Sequence, residues 1–312
     1  MDRAEWMDRF DRAAELLPPR LKRLALALPE AQKKRAEELR LRVARPLTVL
    51  MPEGELSVAP ANREAIVNRE DLEQMVSALT EYSRYASVET LRQGYLTVCG
   101  GFRLGVCGSA VIRDGAVRNL KDFSALSLRI VREQIGIGAE VAGRLFDENG
   151  RFLSTLILSP PGGGKTTLLR DLIRCVSLGD GAHPPLRVAV VDERSEIAVS
   201  HQGRAQMELG NHTDVLDACP KALGMAMVLR AMNPQVIAVD EITVAEDIAA
   251  ACAAANCGVG LLATIHAADV SELRQKPLYS RLLEAGVFRR CIRIENTQGV
   301  RAYRVEELAW GE

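Results

Sequence analysis

The sequence predicts an α/β protein: a parallel-rich, doubly wound sheet preceded by a smaller α+β module. Three observations carry this. An apolar run from Phe152 to Leu158 enters a glycine-rich loop, and an amphipathic segment, Leu168 to Ile173, leaves it. Further apolar runs, Leu186 to Val191, Val236 to Val239 and Val259 to Ile265, alternate with helical segments and end in Asp192, Asp240 and His266, the pattern of strands crossing over in parallel with their chemistry at the carboxyl ends. In the first 140 residues period-two alternation dominates instead, as in Glu38 to Val43 and Ser127 to Arg132, so half-buried strands are expected there.

Taken in order, Trp6, Phe10 and Ala13-Ala14 recur at helical spacing, and Pro18-Pro19 stops that helix. Leu21, Leu24 and Leu28 make a second short apolar face closed by Pro29. The basic run Gln32 to Arg35 reads as a solvated helix face. Strands are expected at 38–43 and 47–51, then a helix capped by Asn68 with the stripe Leu72, Met75, Val76 and Leu79. Ser87 starts another short helix ending at Gly94. Tyr95 to Cys99 and Phe102 to Cys107 flank Gly100-Gly101, a hairpin signal, and Asp114-Gly115 marks a second tight turn. Gly136 and Gly138 suggest a linker before a helix at 139–146, dividing the chain into domains 1–140 and 141–312. In the second, a long polar loop at 200–213 and helices at 222–232 and 248–255 complete the alternation.

A chain of 312 residues has material for about two domains. A hydrophobic fraction of 47%, a charged fraction of 26% and a mean hydropathy of -0.01 describe an ordinary globular composition. The net charge of -1 gives no global attraction to nucleic acid or anionic lipid. Seven scattered cysteines, without Cys-x-x-Cys pairs, read as reduced thiols of a cytosolic protein rather than a metal site. The N-terminus lacks a signal-peptide core, and the most apolar stretch, 248–265, reads as a buried helix and strand, so direct membrane insertion is not expected.

The loop itself is Ser159, Pro160, Pro161, Gly162, Gly163, Gly164, Lys165, Thr166 and Thr167. Adjacent glycines let backbone N–H groups turn inward around an anion, and the following helix points its positive end at the same place. Lys165 is suited to the β- and γ-phosphates of a nucleotide, and the Thr166 hydroxyl to Mg²⁺. Ser159 departs from the usual Gly-x-x-x-x-Gly-Lys-Thr, at a position that often needs glycine's backbone freedom. About 75 residues later, four apolar residues precede Asp240-Glu241. Asp240 is suited to hold Mg²⁺ opposite Thr166, and Glu241 to orient or deprotonate an attacking water. A second acidic cluster, Asp192, Glu193 and Glu196, reads either as a solvent-facing strand end or as additional metal and water positioning. His266 is either structural or a γ-phosphate sensor.

Together these elements resemble the secretion ATPase superfamily, with Val191 to Ile197 similar to its acidic box and Ala263 to Ala267 to its histidine box. In the N-terminal half, Glu38 to Leu47, Tyr85-Ala86, Gly94 to Gly108 and Leu128-Arg129-Ile130 resemble one branch, the stage III sporulation protein AA family, over about Leu16 to Ile294. The resemblance implies a RecA-like P-loop NTPase domain behind an α+β N-terminal domain, using ATP and Mg²⁺. It implies a cytoplasmic, hexameric ATPase, peripheral to the membrane through the membrane proteins of a sporulation channel between mother cell and forespore. In that superfamily, arginines of the N-terminal domain approach the γ-phosphate, which points to Arg129 and Arg103; the alternative is solvated strand arginines. Thr243-Val244-Ala245 stands where the family usually has glycine and often arginine, and Ala267 after His266 is closer to the type IV motors. Two other functions stay open at this point: an ATP-binding scaffold with little turnover, and a nucleic-acid-dependent ATPase using Arg40, Arg42 and Arg45, against which the charge and the 4% aromatic content weigh.

Overall fold

A computed structural model describes residues 3–60, 62–80, 94–130, 133–297 and 300–308. The chain forms two compact units, Met1–Glu133 with Val199–Gln206, and Gln134–Ala198 with Met207–Glu312. The helix expected at Ser87 and the pair Tyr85-Ala86 lie outside the described residues.

The first unit begins with helices α1 (Arg3–Glu15), α2 (Pro19–Leu26) and α3 (Glu30–Lys33). A six-stranded antiparallel sheet follows: β1 (Glu38–Arg42), β2 (Thr48–Met51), β3 (Gly54–Ser57), β4 (Tyr95–Val98), β5 (Phe102–Arg113) and β6 (Ala116–Arg129), in the order β3-β2-β1-β6-β5-β4. Helix α4 (Arg69–Thr80) lies between β3 and β4 in sequence. Alternation on β1 works as expected: Leu39 and Leu41 are buried in the core with Phe10, Leu21, Leu72 and Leu128, while the arginines face the other way. Those arginines are neutralised, Arg40 by Glu38 at 2.8 Å and Arg42 by Glu55, which removes two charges from the candidate nucleic-acid patch. Asn68 caps α4 reciprocally: its Oδ1 accepts from the Asp71 N–H and its own N–H donates to Asp71, each at 2.8 Å.

Three features of this unit differ from expectation. Lys33 is not on a solvated face; it is 7% exposed and pairs with Asp11 at 3.1 Å. Pro29 does not only close α2 but also precedes α3 as its N-cap. The separate short strands expected around Phe102 and Ser127 are the ends of one hairpin of 12 and 14 residues, turning at Asp114-Gly115.

The second unit holds a seven-stranded sheet: β7 (Thr155–Ser159), β8 (Val188–Asp192), β9 (Thr213–Asp217), β10 (Val236–Val239), β11 (Gly260–His266), β12 (Arg290–Thr297) and β13 (Val300–Glu307). Its order is β13-β12-β7-β11-β10-β8-β9, all parallel except the β12–β13 edge pair. Helices are α5 (Ala139–Ala142), α6 (Lys165–Leu178), α7 (Lys221–Ala231), α8 (Ala245–Asn256), α9 (Val270–Gln275) and α10 (Pro277–Glu284). The central strands are buried and mostly apolar because both faces are covered. Leu156, Val191, Ile237 and Val239 pack with Met225, Ile248 and Leu282, whereas Ile157, Val190, Ala238 and Leu262 pack with Leu168, Leu172 and Ile173 of α6. Strand β9 and everything after β11 have no counterpart among the sequence expectations.

The segment entering this domain is tied down by one carboxylate. Asp171 on α6 is 3% exposed and accepts the N–H groups of Gly136 at 3.0 Å and Gly138 at 2.7 Å, with Arg174 Nε at 2.7 Å. Asp171→Ala leaves two amides and a guanidinium short of their acceptor and is expected to destabilise this unit by about 3 kcal/mol; urea unfolding followed by circular dichroism measures it, and a loss under about 1 kcal/mol would show the clasp to be dispensable.

Candidate functional site

Parallel register brings the expected residues to one edge. Ser159 pairs with His266 across β7 and β11, and Val239 pairs with both Ala263 and Val191. The loop after β7, Asp240-Glu241 after β10, Asp192 at the end of β8 and His266 at the end of β11 therefore share the carboxyl end of the sheet.

The loop is built so that only glycine fits. Gly162 and Gly164 have φ of +75° and +96°, the left-handed region, and Gly164 is the N-cap of the 14-residue α6. A Cβ on Gly163 would overlap the Ser159 hydroxyl. Ser159 itself is the last residue of β7, 1% exposed and in ordinary strand conformation, so this chain does not need glycine's freedom there. Its side chain fills the space that Gly163 leaves. A bare backbone opening onto a helix N-terminus suits an anion.

Lys165 is 6% exposed, and its Nζ donates to the Ser159 carbonyl at 2.8 Å and the Pro160 carbonyl at 3.1 Å. It also donates to His266 Nδ1 at 2.6 Å. The other ring nitrogen, Nε2, lies 3.2 Å from a Glu241 carboxylate oxygen. With Nδ1 accepting from an ammonium, the ring carries its proton on Nε2 and donates it to Glu241. Burial pushes the Lys165 ammonium below its ordinary value, opposed by Glu241 and Asp240.

Asp240 is aimed by two hydroxyls. Thr264 Oγ1, fully buried on β11, donates to Oδ1 at 2.9 Å, and Thr166 Oγ1 donates to Oδ2 at 3.2 Å. A hydroxyl and a carboxylate facing each other beside an anion cradle form a donor set suited to Mg²⁺, which takes one or two protein oxygens and completes its shell with phosphate and water. Asp247 on α8 accepts the N–H groups of Thr243 and Val244 at 3.1 and 3.3 Å, which holds the stretch after Glu241 without glycine.

In the acidic cluster after β8, Asp192 departs from both expectations. Asp192 is neither solvent-facing nor free for a metal: it is 1% exposed, and its carboxylate accepts the N–H groups of Glu196, Ile197 and Ala198 at 2.8 to 2.9 Å. Glu193 is ion-paired with Lys221 at the start of α7. Glu196 is half-buried, its carbonyl accepting from Arg170 at 2.8 Å. Arg129 and Arg103 lie in the other unit, paired in register on β6 and β5, with Arg129 3.6 Å from Glu38 and the Arg103 guanidinium 3.9 Å from the Tyr95 ring centre. Two residues escaped the sequence analysis. Thr264 lies in the stretch that resembles the histidine box but carried no role of its own, and Arg301, on β13, stands against Gly164. The alternation of Ile292, Arg293, Ile294 and Glu295 was the available signal for that terminal hairpin.

Two outcomes are expected. Gly163→Ala should disrupt the loop through Ser159, weakening binding of an ATP analogue at least about tenfold, and adding Ser159→Gly should recover most of it; a double variant no better than the single one would exclude that clash. Burial raises the Asp192 carboxyl to about 6 against its backbone hydrogen bonds, from an ordinary 3.8. The folded state then holds the proton more tightly, so this group's stabilising contribution is complete below about pH 4 and lost as pH rises through about 6. Stability of the natural protein relative to Asp192→Asn should fall across that window by at most about 3 kcal/mol and stay flat above it; urea midpoints from pH 4 to 7 measure this, and a difference independent of pH would refute it.

Comparison with known proteins places these features in a family. The family model described as "Sporulation stage III, protein AA" matches residues 7–304. Stage III sporulation protein AA of Bacillus subtilis (strain 168) is 37% identical over 286 residues, covering 92% of this chain and 91% of that protein. An uncharacterised protein of Cyanidium caldarium, ycf45, is 28% identical over 51% of this chain and 45% of its own length. Among solved structures, the pilus retraction motor PilT with bound ADP superposes with a TM-score of 0.59 at 18% identity, covering 89% of this chain and 80% of that one. The ATPase DotB of Legionella pneumophila gives a TM-score of 0.56 at 18% identity over 89% and 77% of the two chains. At such identities the likeness is one of fold, that of a RecA-like secretion ATPase with an N-terminal domain. This chain belongs to the stage III sporulation protein AA family.

Proposed function

We propose that the chain is an ATP-hydrolysing motor that drives assembly of, or transport through, a channel between mother cell and forespore during sporulation. The observation that carries the chemistry is the closed set Lys165–His266–Glu241 and Thr166–Asp240–Thr264 beneath a glycine-only loop. The loop amides and Lys165 bind the phosphates, and an incoming phosphate oxygen replaces the Ser159 and Pro160 carbonyls as the partner of Nζ. Thr166 and Asp240 would hold Mg²⁺, which supplies neutralisation of the phosphate charge. Glu241 takes a proton from the water whose oxygen attacks the γ-phosphorus; the bond to the bridging oxygen breaks, and ADP departs with those electrons. His266, donating to Glu241 and accepting from Lys165, couples the base to the cation that senses the phosphate.

A ring of six copies, contact with the membrane proteins of a sporulation channel and a cytoplasmic, membrane-peripheral location complete this proposal; family membership and the fold of secretion ATPases support it. Arg129 and Arg103 are the proposed γ-phosphate arginines from the N-terminal unit. Among the described residues no helix is long and apolar enough to cross a membrane, so attachment is assigned to partners. Glu241→Gln should retain ATP binding while phosphate release falls about 100-fold or more, and Lys165→Ala should lose nucleotide binding itself. Normal turnover in either variant would overturn the mechanism.

A further inference from the structure

The β12–β13 hairpin places a second cation on the glycine-rich loop. Strand β12 runs parallel to β7, Arg293 opposite Leu158, and returns as β13 with Arg301 opposite Asn296. Arg301 is thus near the carboxyl end of the sheet, exposed, two strands from β7. Its side chain reaches back over the loop: an ideal Cβ on Gly164 would stand 3.0 Å from the guanidinium carbon and from Nη1, and 3.3 Å from Nε. The guanidinium therefore rests against the residue just before Lys165.

A cation at this spot is electrostatically unfavourable by itself. It meets the positive end of α6, whose first turn contains no acidic residue, with Lys165 next to it. An anion lying between them reverses the sign of the interaction. Its position along the nucleotide follows from strand order. Asp240, Glu241 and His266 approach the loop from the β11–β10 side of β7, and Arg301 approaches from the β12–β13 side. With hydrolysis of the terminal phosphate assigned to the first group, the opposite flank faces the α- and β-phosphates.

We propose that Arg301 is a diphosphate-binding residue acting within its own chain, closing over the α- and β-phosphates so that the site holds ADP as firmly as ATP. This rests on the nucleotide assignment above. It makes Arg301 on β13, rather than the loop alone, a determinant of nucleotide affinity and of product release.

The test is equilibrium titration of the full chain with fluorescent ADP and a fluorescent non-hydrolysable ATP analogue, together with steady-state hydrolysis. Arg301→Ala should weaken both ligands by a similar factor, about 10- to 100-fold, and Arg301→Lys should recover part of it, since a guanidinium grips phosphate with two N–H donors. Turnover at saturating ATP should stay within about twofold or rise, because chemistry is handled on the other flank. Arg304→Ala, on the other face of β13 and paired with Glu295, should bind both ligands normally. Unchanged ADP affinity in Arg301→Ala would overturn the proposal. So would a fall in turnover with ADP binding intact, which would move Arg301 to the γ-phosphate, or an equal loss in Arg304→Ala, which would reduce the effect to general charge. A natural protein that binds neither nucleotide would sink the nucleotide assignment and this inference together.

Discussion

The contact on which the site depends is the one between Lys165 and His266. An ammonium that is 6% exposed has lost nearly all its water, and three acceptors stand in: two carbonyls of its own loop and a ring nitrogen from another strand. The carbonyls are local, set by the turn after β7. The ring nitrogen is not; it arrives because β7 and β11 run side by side with Ser159 opposite His266. A one-residue slip in that pairing would turn His266 to the other face of the sheet. Four central strands in parallel, buried on both faces, make such a slip costly, so the sheet core holds the site in register.

From that contact the remaining polarity can be followed outward. His266 accepts from Lys165 and so must donate to Glu241. Asp240, next in sequence, is excluded from that chain and held instead by Thr166 and Thr264. Two adjacent carboxylates thus acquire separate surroundings, one between hydroxyls and one against an imidazole. Chemistry needs that separation if one is to hold a metal and the other to handle a proton.

Two of the departures from the family's usual residues have a local remedy in this chain. Ser159 is accommodated because it ends β7 in ordinary strand conformation and Gly163 gives its hydroxyl room. Thr243-Val244 is accommodated because Asp247 supplies the acceptor for both amides. The cluster at Asp192 shows the reverse case. An acid that by position looked available is consumed by three backbone N–H groups, turning a motif into a clamp on the chain that leaves β8.

By itself the sequence determined the periodic elements. Alternation placed Leu39 and Leu41 inside, apolar runs marked β7, β8, β10 and β11, and Gly162-Gly163-Gly164-Lys165-Thr166 announced an anion cradle, because periodicity and glycine content act over a few residues. Local pattern could not reveal β9, whose Thr213–Asp217 is polar enough to pass for loop, nor that Lys33 is buried beside Asp11. Nor could it reveal what each charged group faces. The tautomer of His266, the aiming of Asp240 by Thr264 and the reach of Arg301 to Gly164 all join residues 24 to 137 positions apart in the chain. Those partners are selected by strand order and register, and only the packed sheet sets them.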